Sequence, residues 1–322
     1  TNRQQQIIFR TGGSYGDIIN YTIDKDNQKY SFNNATTGVS NEGTFTVVTD
    51  PNLEGIYEFT SASSLFYGIE LPGKLFATSL PSGNQQNKLC FGLASDQNLE
   101  DTYTMDEMAG RYLWIIYNDL SEFEWGGFEL LSNGTFTWQY GPEEEKDFNE
   151  STAFSGGGEG TWEFDPNNSG TIIFKEDGIE KRGVITPDKY LVIDNGEGEG
   201  FTAGIKYPDS PSSIASIAGN YRGLDVTPEG YLGVGSYNIT PSGKDGKYYF
   251  KYYNNPSIET DSGTMTNFRR SEYINNVFVT DTEYGDETFH SSFILLPVEA
   301  MLFFTWGDDS GMVGYGIGGK ID

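Results

Sequence analysis

One short pattern is written three times in this chain, and the repetition limits the fold more than any other feature. Leu71-Pro72 leads into Leu75-Phe76-Ala77, a polar turn, and Leu89-Cys90-Phe91-Gly92-Leu93. Thr186-Pro187 leads into Tyr190-Leu191-Val192-Ile193, an Asn/Gly/Glu turn, and Phe201-Thr202-Ala203-Gly204-Ile205. Leu296-Pro297 leads into Met301-Leu302-Phe303-Phe304, the acidic turn at Asp308-Asp309, and Met312 through Ile317. Each copy is an apolar strand, a tight turn and a return strand, which is a β-hairpin. Gly92, Gly204 and Gly316 lie 112 and 112 residues apart (204 − 92, 316 − 204), so the chain is an internal triplication.

Two further anchors align the copies. Gly43-Thr44-Phe45, Gly160-Thr161-Trp162 and Gly263-Thr264-Met265 correspond, as do Tyr30-x-Phe32, Phe136-x-Trp138 and Tyr248-x-Phe250. Side chains alternate along a strand, so each aromatic pair lies on one face, and its recurrence marks that face as core. No helical period of apolar residues runs through the chain, while 22 Phe, 21 Tyr and 41 Gly supply pleated surfaces and turns. The expected fold is all-β: three tandem antiparallel meander units of about eight strands each. The units are placed at residues 1–95, 108–207 and 217–322. Polar stretches at 96–107 and 208–216, the latter Pro/Ser-rich, read as linkers. The segment from Gly141 to Gly158 reads as a long charged excursion.

Ala109-Gly110-Arg111-Tyr112 opens unit two, and Ala218-Gly219-Asn220-Tyr221 opens unit three. This opening, followed by an up-and-down meander, resembles the small lipocalin-like domains of secreted bacterial proteins. The resemblance implies small eight-stranded barrels. The units depart from lipocalins in their shortness and in lacking a helix after the last strand, so we expect interiors filled by their own side chains. The alternative is a six-bladed propeller with two blades per unit, against which stands the absence of self-similarity at half the period.

The charge balance narrows function. With 47 acidic and 20 basic residues the formal net charge is −27, which repels phosphate backbones and anionic membrane surfaces and excludes nucleic acid as a partner. No apolar run is long enough for a transmembrane helix. The lone Cys90 excludes an internal disulfide and a thiolate metal cluster. His290 is the only histidine; its neighbours Phe289 and Ser291 share one face of their strand, which directs His290 to the other, outward face. No phosphate loop, no His-rich zinc site and no catalytic residue emerges, and no cofactor is expected. A carboxylate pair for glycoside hydrolysis cannot be picked from so many acids, which keeps a carbohydrate-active enzyme as the enzymatic alternative. Calcium, if any ion, suits the turns Asp24-x-Asp26-Asn27 and Asp308-Asp309.

Binding readings are richer. In Lys247 through Tyr253, the residues Tyr248, Phe250 and Tyr252 take the core face, so Tyr249 and Tyr253 face outward beside Lys251 as a surface for a protein or glycan partner. Residues 3–10 form a short extended segment suited to strand addition between molecules, hence self-association in an extracellular fibre. The acidic make-up, rich in Asn, Gly, Thr and Tyr, is that of an exported bacterial protein. The sequence therefore points to a non-enzymatic exported or cell-surface β-repeat protein, an adhesin, matrix or surface component. The alternative of another class is a carrier of a small apolar ligand in a barrel interior.

Overall fold

The computed structural model describes residues 6–11, 18–34, 38, 40–60, 65–71, 75–81, 87–95, 103–117, 124–141, 155–166, 171–185, 189–195, 201–207, 213–227, 231–240, 242, 244–253, 260–270, 277–284, 287–296, 300–307 and 311–321. They form three closed antiparallel barrels of eight strands each, not a propeller. Barrel one comprises β1 (Gln6–Thr11), β2 (Ile18–Asp24), β3 (Lys29–Asn34), β4 (Ser40–Val47), β5 (Tyr57–Thr60), β6 (Leu65–Leu71), β7 (Leu75–Pro81) and β8 (Asn87–Ser95). Barrel two follows a short helix α1 (Met105–Met108). It comprises β9 (Gly110–Tyr117), β10 (Glu124–Leu130), β11 (Thr135–Tyr140), β12 (Ser155–Phe164), β13 (Thr171–Glu176), β14 (Ile179–Ile185), β15 (Tyr190–Asp194) and β16 (Phe201–Lys206). Barrel three comprises β17 (Gly219–Val226), β18 (Leu232–Ile239), β19 (Gly246–Tyr253), β20 (Thr260–Arg270), β21 (Val277–Tyr284), β22 (Glu287–Leu296), β23 (Ala300–Gly307) and β24 (Gly311–Lys320).

In every barrel the first strand pairs with the last, which removes both open edges. Each repeat glycine lies on the last strand of its barrel, between the first strand and the penultimate one. Gly92 lies between Phe9 and Phe76, Gly204 between Trp114 and Leu191, and Gly316 between Asp225 and Phe303. The segment Gln6–Thr11, which the sequence offers for pairing with a neighbouring molecule, is instead β1: it is bonded on one side to β2 and on the other to β8. Within the chain both edges of this strand are therefore occupied.

The two sequence anchors turn out to be cross-strand partners. Tyr30 stands opposite Gly43, Phe136 opposite Gly160 and Tyr248 opposite Gly263. A Cβ on these glycines would lie 2.6 Å from Tyr30 Cε1, 2.6 Å from Phe136 Cε1 and 2.8 Å from Tyr248 Cε1. An aromatic ring laid over a bare backbone is thus the device that was copied.

A second device closes one end of barrels two and three. The stretches read as linkers fold at their ends: into α1, and into a short 3-10 helix at Ile214–Ile217. Met108 and Ile217 are fully buried and join the barrel interiors. Tyr112 Oη donates to the Met108 carbonyl at 2.7 Å, and Tyr221 Oη to the Ile217 carbonyl at 2.9 Å. Lys206 Nζ donates to the Ala109 carbonyl at 2.9 Å, and Lys320 Nζ to the Ala218 carbonyl at 2.7 Å. The Ala-Gly-x-Tyr opening is therefore a plug whose carbonyls are capped by the first and last strands. In the charged excursion, Ser155 to Gly158 belong to β12, while residues 142–154 lie outside the described set.

Alternation gives each strand two apolar duties. Inward residues fill separate interiors around Phe59, Trp162 and Phe250. Outward residues of all three barrels merge into one further core, with Tyr67, Ile69, Leu113, Val192, Leu224 and Leu302 among its members. The barrels are thus packed together rather than strung on linkers.

Candidate ligand pocket in the second barrel

Among the described residues, the end of barrel two away from α1 holds a cavity of about 490 Å³. The cavity corrects the expectation of a filled interior, and its volume lies within the usual range for a small-molecule site. Its depth is apolar, with Phe128, Phe136, Phe174, Ile193 and Ile116 on the wall. Three larger rings rise beside them. Trp114 and Trp138 centroids are 6.3 Å apart, Trp114 and Tyr140 are 6.1 Å apart, and Trp138 and Tyr140 are 4.8 Å apart, each pair edge to face.

The register explains why Trp114 leans to this side. It faces Gly126 across β9 and β10, and a Cβ there would lie 2.7 Å from Trp114 Cζ2. Gly158 on β12 makes the same concession to Trp138, whose Nε1 would stand 2.8 Å from an added Cβ.

Polar groups cluster among the remaining lining residues. Glu124, Glu176, Lys181, Asn195 and Thr202 all line the cavity. Trp138 Nε1 donates to Glu176 Oε1 at 2.5 Å, a charge-assisted bond that fixes both side chains. Thr202 Oγ1 donates to Asn195 Oδ1 at 3.0 Å. Tyr140 and Ile179 leave the rim apolar, and Ile179 is 59% exposed. One donor is left over: Trp114 is only 4% exposed, and its Nε1 has no hydrogen-bond partner. This N–H is closed off from the cavity as well, so it is a cost carried by the wall rather than a contact offered to a ligand.

Barrel three is packed at the corresponding end. Gly223 takes the place of Trp114, two residues beyond the matched tyrosine, and in the same register Met301 takes the place of Leu191 and Phe303 that of Ile193. The Phe303 ring lies 5.3 Å from Tyr237 and 6.4 Å from Phe250. Beyond it stands Asp225, 7% exposed, with Oδ1 unpartnered. Burial pushes this carboxyl up to about 7; Asp261 adds to the effect, while the Gly233 backbone and the Tyr252 hydroxyl oppose it.

The residues singled out in the sequence lie elsewhere. Tyr249 and Tyr253 do leave the core face of β19, and they pack against barrel one. Tyr249 Oη donates to Asp50 Oδ2 at 3.3 Å, and Tyr253 stacks on Tyr67 at 4.3 Å. Lys251 Nζ lies 5.4 Å above the Tyr253 ring. Arg222 completes this junction, its Nε donating to the Glu54 carbonyl at 2.6 Å. In the turn after β2, Asn27 donates to Asp24 from its backbone at 3.1 Å and its side chain at 2.7 Å, holding the Asp24 carboxyl below its usual range. Asp26 is exposed in the same turn. Asp308 and Asp309 lie outside the described residues, as do the side chains of His290 and Cys90. Among the described residues no three His, Cys, Asp or Glu side chains form a group that could hold a metal ion. Among them, too, no helix is long and apolar enough to cross a membrane.

The fold and the pocket together define a class: an all-β protein of three closed eight-stranded barrels, lipocalin-like in strand count, with an aromatic-walled cavity in the second. No family model and no curated protein matches the chain. Among solved structures it is similar to isotype 1 transferrin-binding protein B of Neisseria meningitidis serogroup B, at 11% identity and a TM-score of 0.29, over 95% of this chain and 66% of that one. A transferrin-binding protein B variant from Haemophilus parasuis gives 7% identity and a TM-score of 0.23 over the same shares. A Nostoc punctiforme protein of unknown function gives 12% identity and 0.23, over 67% of this chain and 97% of that one. The chain spans just under two thirds of the first two. Those two are binding proteins by name; likeness at this level bears on neither partner nor activity.

Proposed function

We propose that this is a non-enzymatic binding protein of the cell exterior, built from three copies of one module at residues 1–95, 108–207 and 217–322, in which barrel two takes up a small amphipathic molecule. The observation that carries this is the aromatic-walled cavity of about 490 Å³. The same end of barrel three is filled, so the cavity is no necessary product of the repeat. This reading favours the carrier over the adhesin or matrix component, because the outward tyrosines are engaged between barrels. Export is supported by the acidic, turn-rich composition.

Four of the five tryptophans, Trp114, Trp125, Trp138 and Trp162, belong to barrel two, so ligand entry should change intrinsic fluorescence. A small-molecule library screened by fluorescence and native mass spectrometry should give one-to-one binders. Thr202→Phe, which sets a ring into the cavity, should abolish their binding. A screen without binders, or binders indifferent to Thr202→Phe, would remove the reading.

A further inference from the structure

Resting on that reading, we infer that the part of the ligand sunk in barrel two is an uncharged, planar aromatic ring system, recognised by ring-to-ring contact rather than by a hydrogen bond or an ion pair. The floor and the wall of the cavity decide this.

The floor is fixed. Phe128 stacks on Tyr112 at 5.0 Å, and the Tyr112 hydroxyl is tied to the Met108 carbonyl of the plug. Beside it Phe136 and Phe174 stand edge to face at 5.4 Å. Trp114, Trp138 and Tyr140 continue the wall in the same manner, with interplanar angles of 73°, 66° and 88° among them. Four of these rings lie along the barrel wall because a glycine leaves room for each. Phe128 lies over Gly204, Phe136 over Gly160, Trp114 over Gly126 and Trp138 over Gly158; an added Cβ would stand 3.3, 2.6, 2.7 and 2.8 Å from the nearest ring atom. The space they enclose is bounded by ring faces and ring edges together.

Such a wall selects for flatness and for π-electrons. A planar guest meets wall edges with its faces and wall faces with its edge, the arrangements that strengthen ring pairs beyond the area they bury. A saturated ring of the same skeleton is puckered and keeps only the area contribution. A flexible chain must also give up torsional freedom that a fused ring never had.

Polar guests gain little at this depth. Glu176 accepts from Trp138 and Thr202 donates to Asn195, so these groups are bonded to the wall itself. Lys181 is the lining residue that would reward an anion, and it is half-buried, where an ion pair is screened by water. A charge or a sugar's hydroxyls carried down to Phe128, Phe136 and Phe174 would shed water without a partner in return.

The test holds the carbon skeleton and varies its π-system and charge. Calorimetric titration of the full chain compares 1-naphthalenemethanol with its decahydro counterpart and with 1-undecanol, all of one carbon count. It adds 1-naphthoate and 1-methylquinolinium as an anion and a cation on two fused rings. We expect 1-naphthalenemethanol to bind several-fold tighter than each of the other four, although both saturated alcohols are the more hydrophobic. Phe136→Leu and Phe174→Leu keep the wall apolar and remove one ring each; either should cut the ratio of aromatic to decahydro affinity about three-fold, and whichever folds suffices. Equal or tighter binding of a saturated alcohol or of a charged compound, or a ratio unmoved by the Leu variants, overturns the inference and leaves the pocket a binding site. Library binders of another class, with no heat from this series, do the same. No binder of any kind removes the pocket reading itself.

Discussion

Asp225 in barrel three gives the most quantitative handle on the fold. Its carboxyl is shut inside the barrel with Tyr252, Tyr248 and Asp261 near it, and no basic residue is among the groups that shift it. An aspartate ordinarily near 3.8 is held at about 7. At about 1.4 kcal/mol for each pH unit, the ionised form then costs the fold about 4 kcal/mol, an upper figure for one site. The sign follows from the direction. The folded carboxyl binds its proton more tightly than the unfolded one, so the contribution is fully favourable below pH 4. It is lost progressively as pH rises to about 7 and stays constant above. Asp225→Asn keeps the shape and removes the titration. Urea denaturation followed by circular dichroism, run on both proteins from pH 4 to pH 8.5, isolates this group from the many surface acids common to both. The variant should equal or fall slightly below the wild type at pH 4 and exceed it by about 2–4 kcal/mol at pH 8. Asp261, also raised, chiefly by its own burial, keeps some slope in both curves. A stability difference independent of pH would refute the argument, since it would mean that the folded Asp225 is ionised across the whole range, as the unfolded one is.

Three further outcomes test the architecture. Gly263→Ala places a Cβ against the Tyr248 ring and should cost about 1–3 kcal/mol by urea denaturation, with much of the loss relieved in a Tyr248→Ala background. Tyr253→Ala removes the stack on Tyr67 and should cost about 2 kcal/mol, read as faster limited proteolysis between barrels two and three. Ile193→Phe should destabilise barrel two by about 1–3 kcal/mol, and Trp114→Gly in the same chain should recover part of it; additive costs would show that the two positions do not share space.

The architecture was legible in the sequence because closure and alternation leave marks at short range. Tyr30, Phe136 and Tyr248 recur with their glycines because a ring needs a bare backbone opposite it, and that need is written into both strands. The plugs were not legible as structure: Met108 and Ile217 are single apolar residues in polar stretches, and their burial depends on a barrel end far away in sequence. The site was missed for a related reason. Trp138 reads as one of a core pair, and nothing local tells a ring that fills a core from one that walls a cavity. Tyr249 and Tyr253 were read correctly as outward, but outward from a barrel is not outward from the molecule once Asp50 and Tyr67 come to meet them.

What separates the hollow barrel from the filled one is where its bulky rings are rooted. In barrel three the ring comes from β23: Phe303 reaches over Gly223 and lies against Tyr237 and Phe250, occupying the space beside the first strand. In barrel two the corresponding β15 residue is the shorter Ile193, and the ring rises from β9 instead. Trp114 lies along Gly126 and meets Trp138 and Tyr140, so it thickens the wall formed by β9 to β11. The opposite wall, with Lys181, Ile193, Asn195 and Thr202, faces the cavity. Moving one aromatic from the penultimate strand to the first turns a packed interior into a pocket. The backbone and its closure are shared by the copies; the capacity to bind is set by where the side chains stand.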